Sequence, residues 1–541
     1  MTYKRPLRWL ELIDDLTSVQ FLLTVNYAGR PYYFSTRPRV LIDERGEPIQ
    51  YEGGLQAQFT DALDLFNESP TLLSIPLSLY FSDDVAELIS KGFDLWRATG
   101  ELSLWVEGRP YEDRIVLIDG NVNDPSYGAK GEPVKFSLEA NGFEDTALTH
   151  TPFDRVLPTT WPNADEAAAL RYYPIVYGAP GIYTGGTAPG SPALAVDVDI
   201  GAATVRFLVA GHEVAATSAT FINVSKNPAA SLLIGLVTEE DARGTVVTTT
   251  VTVPIGAGFW DLGDEVYVIW DNGGAMYNDR RDGVRSGAGD LISYFLRRST
   301  LRIDSGTWAA IYPELNLGYR FAGYVDEPCS PFEYIRDNFF PLLPISVTAT
   351  GEGMAGVLWR RDAQKSDAVG TIEAGGGVAR ADFVQYERQR LYNNIRLDYA
   401  LDAASNDPQK NAGVLGDPSI VDTVLFTADA GQFATEYSRA SFYRYGNRAM
   451  SFDTAVVWED ATATNVLQWK HRAAAFPYRV IPYDVPIRMG FLRRGDLVLL
   501  TDEEIHLSGY LCFVRDIQWT NGKPRIFLVL IDDPPREKRV E

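Results

Sequence analysis

The chain has 541 residues, 45% of them apolar and 12% aromatic, enough for three or four domains that each bury a core. Its 22% of charged residues excludes the low-hydropathy, high-charge composition of a disordered chain. Asp and Glu number 72 against 49 Lys and Arg, a formal charge of −23 that repels phosphate backbones and excludes strong nucleic-acid binding by the surface as a whole.

Only two cysteines are present, Cys329 and Cys512, so neither a disulfide framework nor a cysteine-built zinc site can be assembled. The N-terminal run MTYKRPLRWLELIDD meets acids where a secretion signal needs an unbroken apolar stretch. The uncharged run 172–196 holds five Gly and four Pro, which suits a linker and not a membrane-spanning helix. The chain is therefore expected to be made, and to stay, on the cytoplasmic side, with no integral membrane segment.

In chain order, residues 1–143 alternate β-branched and aromatic runs with turns: 19–27, 32–34, 72–81, 102–106, 114–118 and 134–140 read as strands. One helix interrupts them, capped by Ser82, Asp83 and Asp84 and ending near Gly92. Residues 144–181 read as a Pro/Gly-rich linker. Residues 182–280 turn to Ala, Val, Thr and Gly, with strands over 203–209, 232–237, 245–253 and 265–270, and read as a small β-domain inserted into a larger scaffold.

An α+β domain is expected over 281–367. Leu291, Ile292, Phe295 and Leu296 mark one face of a first helix that closes on Arg297 and Arg298. Ser330, Pro331 and Glu333 cap a second, and strands follow at 345–349 and 356–360. Residues 368–541 read as a C-terminal β-domain, with strands at 394–399, 449–457, 480–485, 497–501, 512–519 and 525–531. A helix crosses it at 461–475, and an Asn521-Gly522 hairpin joins its last two strands.

Motifs that would carry chemistry lack their context. Gly351, Gly353 and Gly356 fit a dinucleotide fingerprint, but an extended VLWRR run follows where a helix is needed, so a hairpin is expected. The histidines His150, His212, His471 and His506 are too scattered for an imidazole metal site, and His471, between Lys470 and Arg472, reads as a solvated surface residue. The DGNVND run 119–124 lacks the closing Glu of a calcium loop and reads as a turn. Acid pairs such as Asp14/Asp15, Asp83/Asp84 and Glu503/Glu504 could serve a glycosidase, although 72 acids make such pairs common. Trp96, Trp105, Trp260, Trp270, Trp308, Trp359, Trp458, Trp469 and Trp519 are expected mostly in cores, with some at interfaces. No catalytic, cofactor-binding or metal-ligating residue is assigned, no cofactor is expected, and the chain is not expected to be an enzyme.

The blocks RYYPIVYGAPG, SGAGDLISYFLRRS, LNLGYRFAGYVDEPCSPFEYIRDNFFPLLPIS, SRASFYRYGNRAMSFDTAVVWEDATATNVLQWKHR and RRGDLVLLTD resemble the baseplate hub, or central tail-tip protein, of long-tailed bacteriophages and phage-like gene transfer agents. The inserted segment 182–280 has no counterpart in that resemblance. The resemblance implies a mainly β, multidomain hub with α+β parts. Two tube-like β-barrel domains per subunit, here the N- and C-terminal regions, would form a ring of six in a homotrimer that continues the tail tube. Its partners would be the distal tail ring, tail tube, tape measure and tip or fibre proteins, with DNA passing through unheld. Such a protein assembles in the host bacterial cytoplasm and resides at the tail tip or baseplate of the virion. The alternatives are a tail-associated glycan or peptidoglycan hydrolase, and a tail protein that binds a host surface glycan through 182–280.

Overall fold

The computed structural model describes residues 19–27, 29–43, 45–61, 74–80, 91–92, 95–127, 132–140, 155–226, 228–241, 246–256, 258–270, 286–350, 353–359, 363–387, 390–415, 432–433, 436–490, 492–520 and 523–531. The helix expected near 82–92 lies almost wholly outside them. The protein is mainly β and multidomain, with a fourteen-stranded sheet, a seven-stranded sheet and an α+β body on separate cores.

Alternation builds the large sheet. In the strand Val19–Tyr27, Phe21, Leu23 and Val25 enter the main core. Leu22 faces the other way, beneath the hairpin of Arg39–Ile42 and Pro48–Tyr51, where it meets Leu41, Tyr51 and Trp105. Both faces are thus covered, which is why the strand reads as an almost unbroken apolar run. The main path of the sheet runs Arg30–Ser35, Val19–Tyr27, Thr99–Val106, Ile115–Ser126, Val134–Ala140, Ser74–Leu79, Leu55–Asp61, Leu507–Thr520, Lys523–Leu530, Tyr478–Asp484 and Ala379–Arg380. The DGNVND run, expected as a turn, lies inside Ile115–Ser126, because Ile118 and Val122 bury alternately with its polar residues.

The chain after 368, read above as one β-domain, divides between two cores. Residues 370–387 and 478–530 complete the large sheet, whereas 394–474 joins 288–358 in the α+β body. The reason is apolar register: Ile395, Leu397 and Tyr399 bury with Val466 and Leu467 against the helices of that body. Among the described residues its helices are α1 (Ala288–Arg298), α2 (Ser305–Gly318), α3 (Pro331–Asn338), α4 (Glu436–Tyr445) and α5 (Asp460–Ala474). As expected, α1 ends on Arg297 and Arg298, and Ser330 caps α3 by accepting from the Glu333 N–H at 3.2 Å. Helix α2 was not anticipated. It carries Pro313 inside, yet Asp304 caps it and Trp308 fixes it, the indole donating to the Met354 carbonyl at 3.0 Å. His471, expected on the surface, is 2% exposed on the inner face of α5. Its charged neighbours at i±1 point elsewhere and say nothing of its own face.

The seven-stranded sheet runs Ala230–Gly235, Ser218–Asn223, Val266–Ile269, Ser191–Asp199, Thr204–Ala210, Val247–Pro254 and Val237–Glu240. Its first and last strands are separated in the chain by Leu236 alone. The sheet must therefore curl until its two edges nearly meet, enclosing Phe207, Phe221, Trp260 and Trp270. The segment read as a linker is packed onto this barrel. Val156, Trp161 and Tyr173 bury against Leu194, Val196 and Leu208, and the Trp161 indole donates to the Tyr173 hydroxyl at 2.7 Å. Excising 182–280 alone strips the cover from Trp161, Tyr173 and Val176 and is expected to yield insoluble protein, checked as soluble yield after expression.

His212 ties the barrel to the strand Ile175–Tyr177, which pairs with Gly323–Val325 of the α+β body. Its Nε2 accepts from the Val176 N–H at 3.0 Å and its Nδ1 lies 2.9 Å from the Glu213 carbonyl, so the ring must be neutral. Burial, aided by the nearby Arg298 and opposed by the backbone bonds to Glu213 and Val176, pushes its pKa down to about 4. The unfolded state takes up this proton near pH 6.5 and the folded state only near pH 4. Stability is thus complete above about pH 6.5 and falls by about 3 kcal/mol as pH drops toward 4. Urea unfolding of wild type and His212→Gln across that window checks this: the variant is expected to lose most of the slope between pH 6.5 and 5.

Candidate functional site

The feature with functional geometry is the junction of the N- and C-terminal parts of the large sheet. Leu55–Asp61 pairs antiparallel with the far end of Leu507–Thr520, with Ile517 opposite Asp61, Trp519 opposite Phe59 and Thr520 opposite Gln58. The other half of that long strand pairs with Leu497–Asp502, and Lys523–Leu530 runs along its opposite side. One strand thus belongs to both halves. Trp519, 3% exposed, meets Phe21 edge-on at 6.3 Å between centroids, carrying the C-terminal part into the N-terminal core. Gly490 leaves room for the indole; a Cβ there would come within 2.8 Å of the ring.

The face turned away from this core is apolar beneath the Arg39–Tyr51 hairpin and in the C-terminal half, where Val480, Leu511, Phe513 and Val529 bury with Trp359, and is polar over part of the N-terminal half. Across neighbouring strands it presents Asn26, Thr99, Asn121, Glu139 and Ser74 in one row and Thr24, Glu101 and Asp119 in the next. Arginines at this face are held by carboxylates: Arg114 by Glu101 at 3.2 Å, Arg302 by Asp119 at 2.8 Å, and Arg525 by both oxygens of Asp484 at 2.6 and 3.1 Å. Each pairing sets a carboxylate against the positive charge that a phosphate would otherwise meet.

At the C-terminal end of the sheet, Arg380 donates to buried Asp502 at 3.0 Å and to exposed Glu504 at 2.8 Å, and the Tyr483 hydroxyl donates to Asp502 at 2.6 Å. Burial, then the neighbouring carboxylate, raises the Tyr483 pKa and keeps it a donor. Phe383 and Tyr386, 84% and 56% exposed, project from the same end. At the opposite end Arg30–Ser35 is closed to further pairing: Pro31 offers no N–H, and Tyr33 and Ser35 bond to the backbone of Glu52.

The residues considered for chemistry do not converge. The glycine motif is a hairpin between Ile345–Thr350 and Gly353–Leu358, where Gly353, at φ +128, comes so near the Arg302 carbonyl that a Cβ would stand 2.4 Å from it. His212 and His471 are buried in different cores, and His506 sits in a left-handed turn; His150, Asp14/Asp15 and Asp83/Asp84 lie outside the described residues. Glu503 and Glu504 form a short helical turn whose Glu504 serves Arg380. Burial, then nearby Glu333 and Glu327, pushes the Cys329 thiol up to about 11, and Cys512 is buried. Among the described residues no three His, Cys, Asp or Glu side chains are placed to hold a metal ion, and no helix is long and apolar enough to cross a membrane. Of the nine tryptophans named above, eight are buried and Trp96 is 54% exposed.

No family model matches the chain, and no curated protein matches it. Among solved structures it is similar to the 43 kDa tail protein of prophage MuSo2 from Shewanella oneidensis, with 9% identity over 94% of this chain and 98% of that one and a TM-score of 0.39. It is also similar to prophage tail protein gp18 from Listeria monocytogenes EGD-e, with 9% identity, 94% of each chain covered and a TM-score of 0.31. A chain in the virion of a native gene transfer agent particle matches with 12% identity over 69% of this chain and 89% of that one, at a TM-score of 0.35.

Proposed function

We propose that this chain is a structural virion protein, the baseplate hub at the distal end of a phage or phage-like tail, which continues the tail tube toward the tip and leaves a conduit for DNA. In this reading it has no catalysis of its own. It assembles in the host bacterial cytoplasm as a homotrimer and contacts the distal tail ring, tail tube, tape measure and tip or fibre proteins. The observation that carries the reading is the single sheet through Leu55–Asp61 and Leu507–Thr520, which makes one continuous wall from the two ends of the chain. Three such walls close a ring of six tube-like halves.

The polar part of the outer face, in the N-terminal half, is the side turned to the channel. Its ion-paired arginines suit a surface that DNA must cross without being held, because each free cation contacting a phosphate adds binding with a steep salt dependence. Phe383 and Tyr386 are the anchors that the next subunit covers. The first test is mass photometry of the purified chain, alone and with the other tail proteins. A trimer is expected, and Phe383→Ser with Tyr386→Ser is expected to weaken it about tenfold or more. A stable dimer as the sole assembly would reject the ring.

A further inference from the structure

We infer that helix α4 and the turn behind it form a cationic docking surface that seats on a carboxylate-bearing surface of a second copy of this chain. The inference rests on the ring proposed above and names the contact that closes it. In a chain of formal charge −23, α4 opens on Glu436, and the residues from 437 to 452 then contain three arginines and no acid. Tyr443 is 70% exposed, and Arg444, Asn447 and Arg448 are exposed beside it. Arg444 lies over the Tyr445 ring at 5.5 Å, a planar cation backed by an aromatic face. Tyr and Arg are the residue types that dominate binding energy at interfaces.

The surface is held rigidly from behind. Ser438 donates to the Leu415 carbonyl at 2.9 Å, and Ser441 donates to the Ala475 carbonyl. Fully buried Asn393 donates to the Gly446 carbonyl at 2.9 Å and accepts from the Arg448 N–H at 2.9 Å. Backbone bonds from the Asn393 and Asn394 N–H groups to the Arg448 carbonyl complete the clamp. Little backbone entropy remains to be lost on docking, and the cost left is that of ordering the exposed side chains.

Charge selects the occupant. Copies this acidic repel one another wherever carboxylates meet, so association favours contacts that set a cation against that excess. A head-to-tail contact that sets the arginine surface against an acidic surface of the neighbour is the kind of contact the proposed ring repeats around its axis.

The test compares wild type, R444E/R448E and R444Q/R448Q by mass photometry at rising salt, with thermal melting to verify folding and anisotropy with a short labelled DNA duplex alongside. The expected result is a wild-type trimer that salt weakens, and about tenfold or greater loss of trimer in R444E/R448E with the melting temperature retained. The glutamine pair should fall between, and it carries the test if the glutamate pair does not fold. A variant trimer equal to wild type in amount and salt dependence overturns this inference and leaves the ring reading intact. Loss of DNA binding with the trimer unchanged also overturns it, marking a nucleic-acid surface. A wild type that stays monomeric with its tail partners overturns both.

Discussion

Replacing Trp519 by alanine is expected to destabilise the protein by about 3–5 kcal/mol and to part the two halves of the large sheet. The indole is 3% exposed, lies opposite Phe59 at the junction and packs edge-on against Phe21, so its removal leaves a cavity spanning both halves of one core. Leucine fills that space poorly; phenylalanine keeps an edge for Phe21 and is expected to retain more than half of the lost stability. Urea unfolding gives the magnitude, and limited proteolysis shows whether the N-terminal half is released first. A loss below about 1 kcal/mol would mean that the junction does not depend on the ring.

The second large effect is expected at Lys410. Its ammonium donates to both oxygens of Asp460 at 2.8 Å and to the Thr184 carbonyl at 3.0 Å, while the Tyr399 hydroxyl donates to Asp460 at 2.7 Å. The Asp460 side chain is 3% exposed, so Lys410→Met strands a buried carboxylate and should cost about 3–5 kcal/mol. Removing both charges, as in K410M/D460L, is expected to recover most of that cost. A double variant no better than the single would show that the pair acts through packing and not charge.

Local signals were legible where both the pattern and its punctuation lie within one segment. The strands Val19–Tyr27 and Val134–Ala140, the amphipathic helix α1, the Ser330-Pro331 start of α3 and the hairpin between Thr520 and Lys523 each follow from residues a few positions apart. The junction was not legible. Leu55–Asp61 and Leu507–Thr520 stand at opposite ends of the chain, and nothing in either strand's composition names its partner. The division of 368–541 between two cores was hidden for the same reason, since a strand's period states that one face buries but not against what. Helix α2 carries Pro313 inside it, and α4 buries the serines Ser438 and Ser441, so neither shows the apolar stripe by which a helix is recognised. The arginines of α4 follow no spacing that marks a surface in the sequence. Their meaning needed the fold, which leaves Arg444 and Arg448 exposed on a rigid surface.

The measurement that tests the hub reading most directly is an electron cryomicroscopy reconstruction of the assembled protein with its tail partners, contoured by electrostatic potential. The account predicts three copies around one axis, the large sheets joined into a closed wall, their polar faces inward and net acidic, with Arg114, Arg302 and Arg525 still paired to Glu101, Asp119 and Asp484. A channel lined mainly by unpaired Lys and Arg, or a particle in which the polar faces point outward, would contradict it.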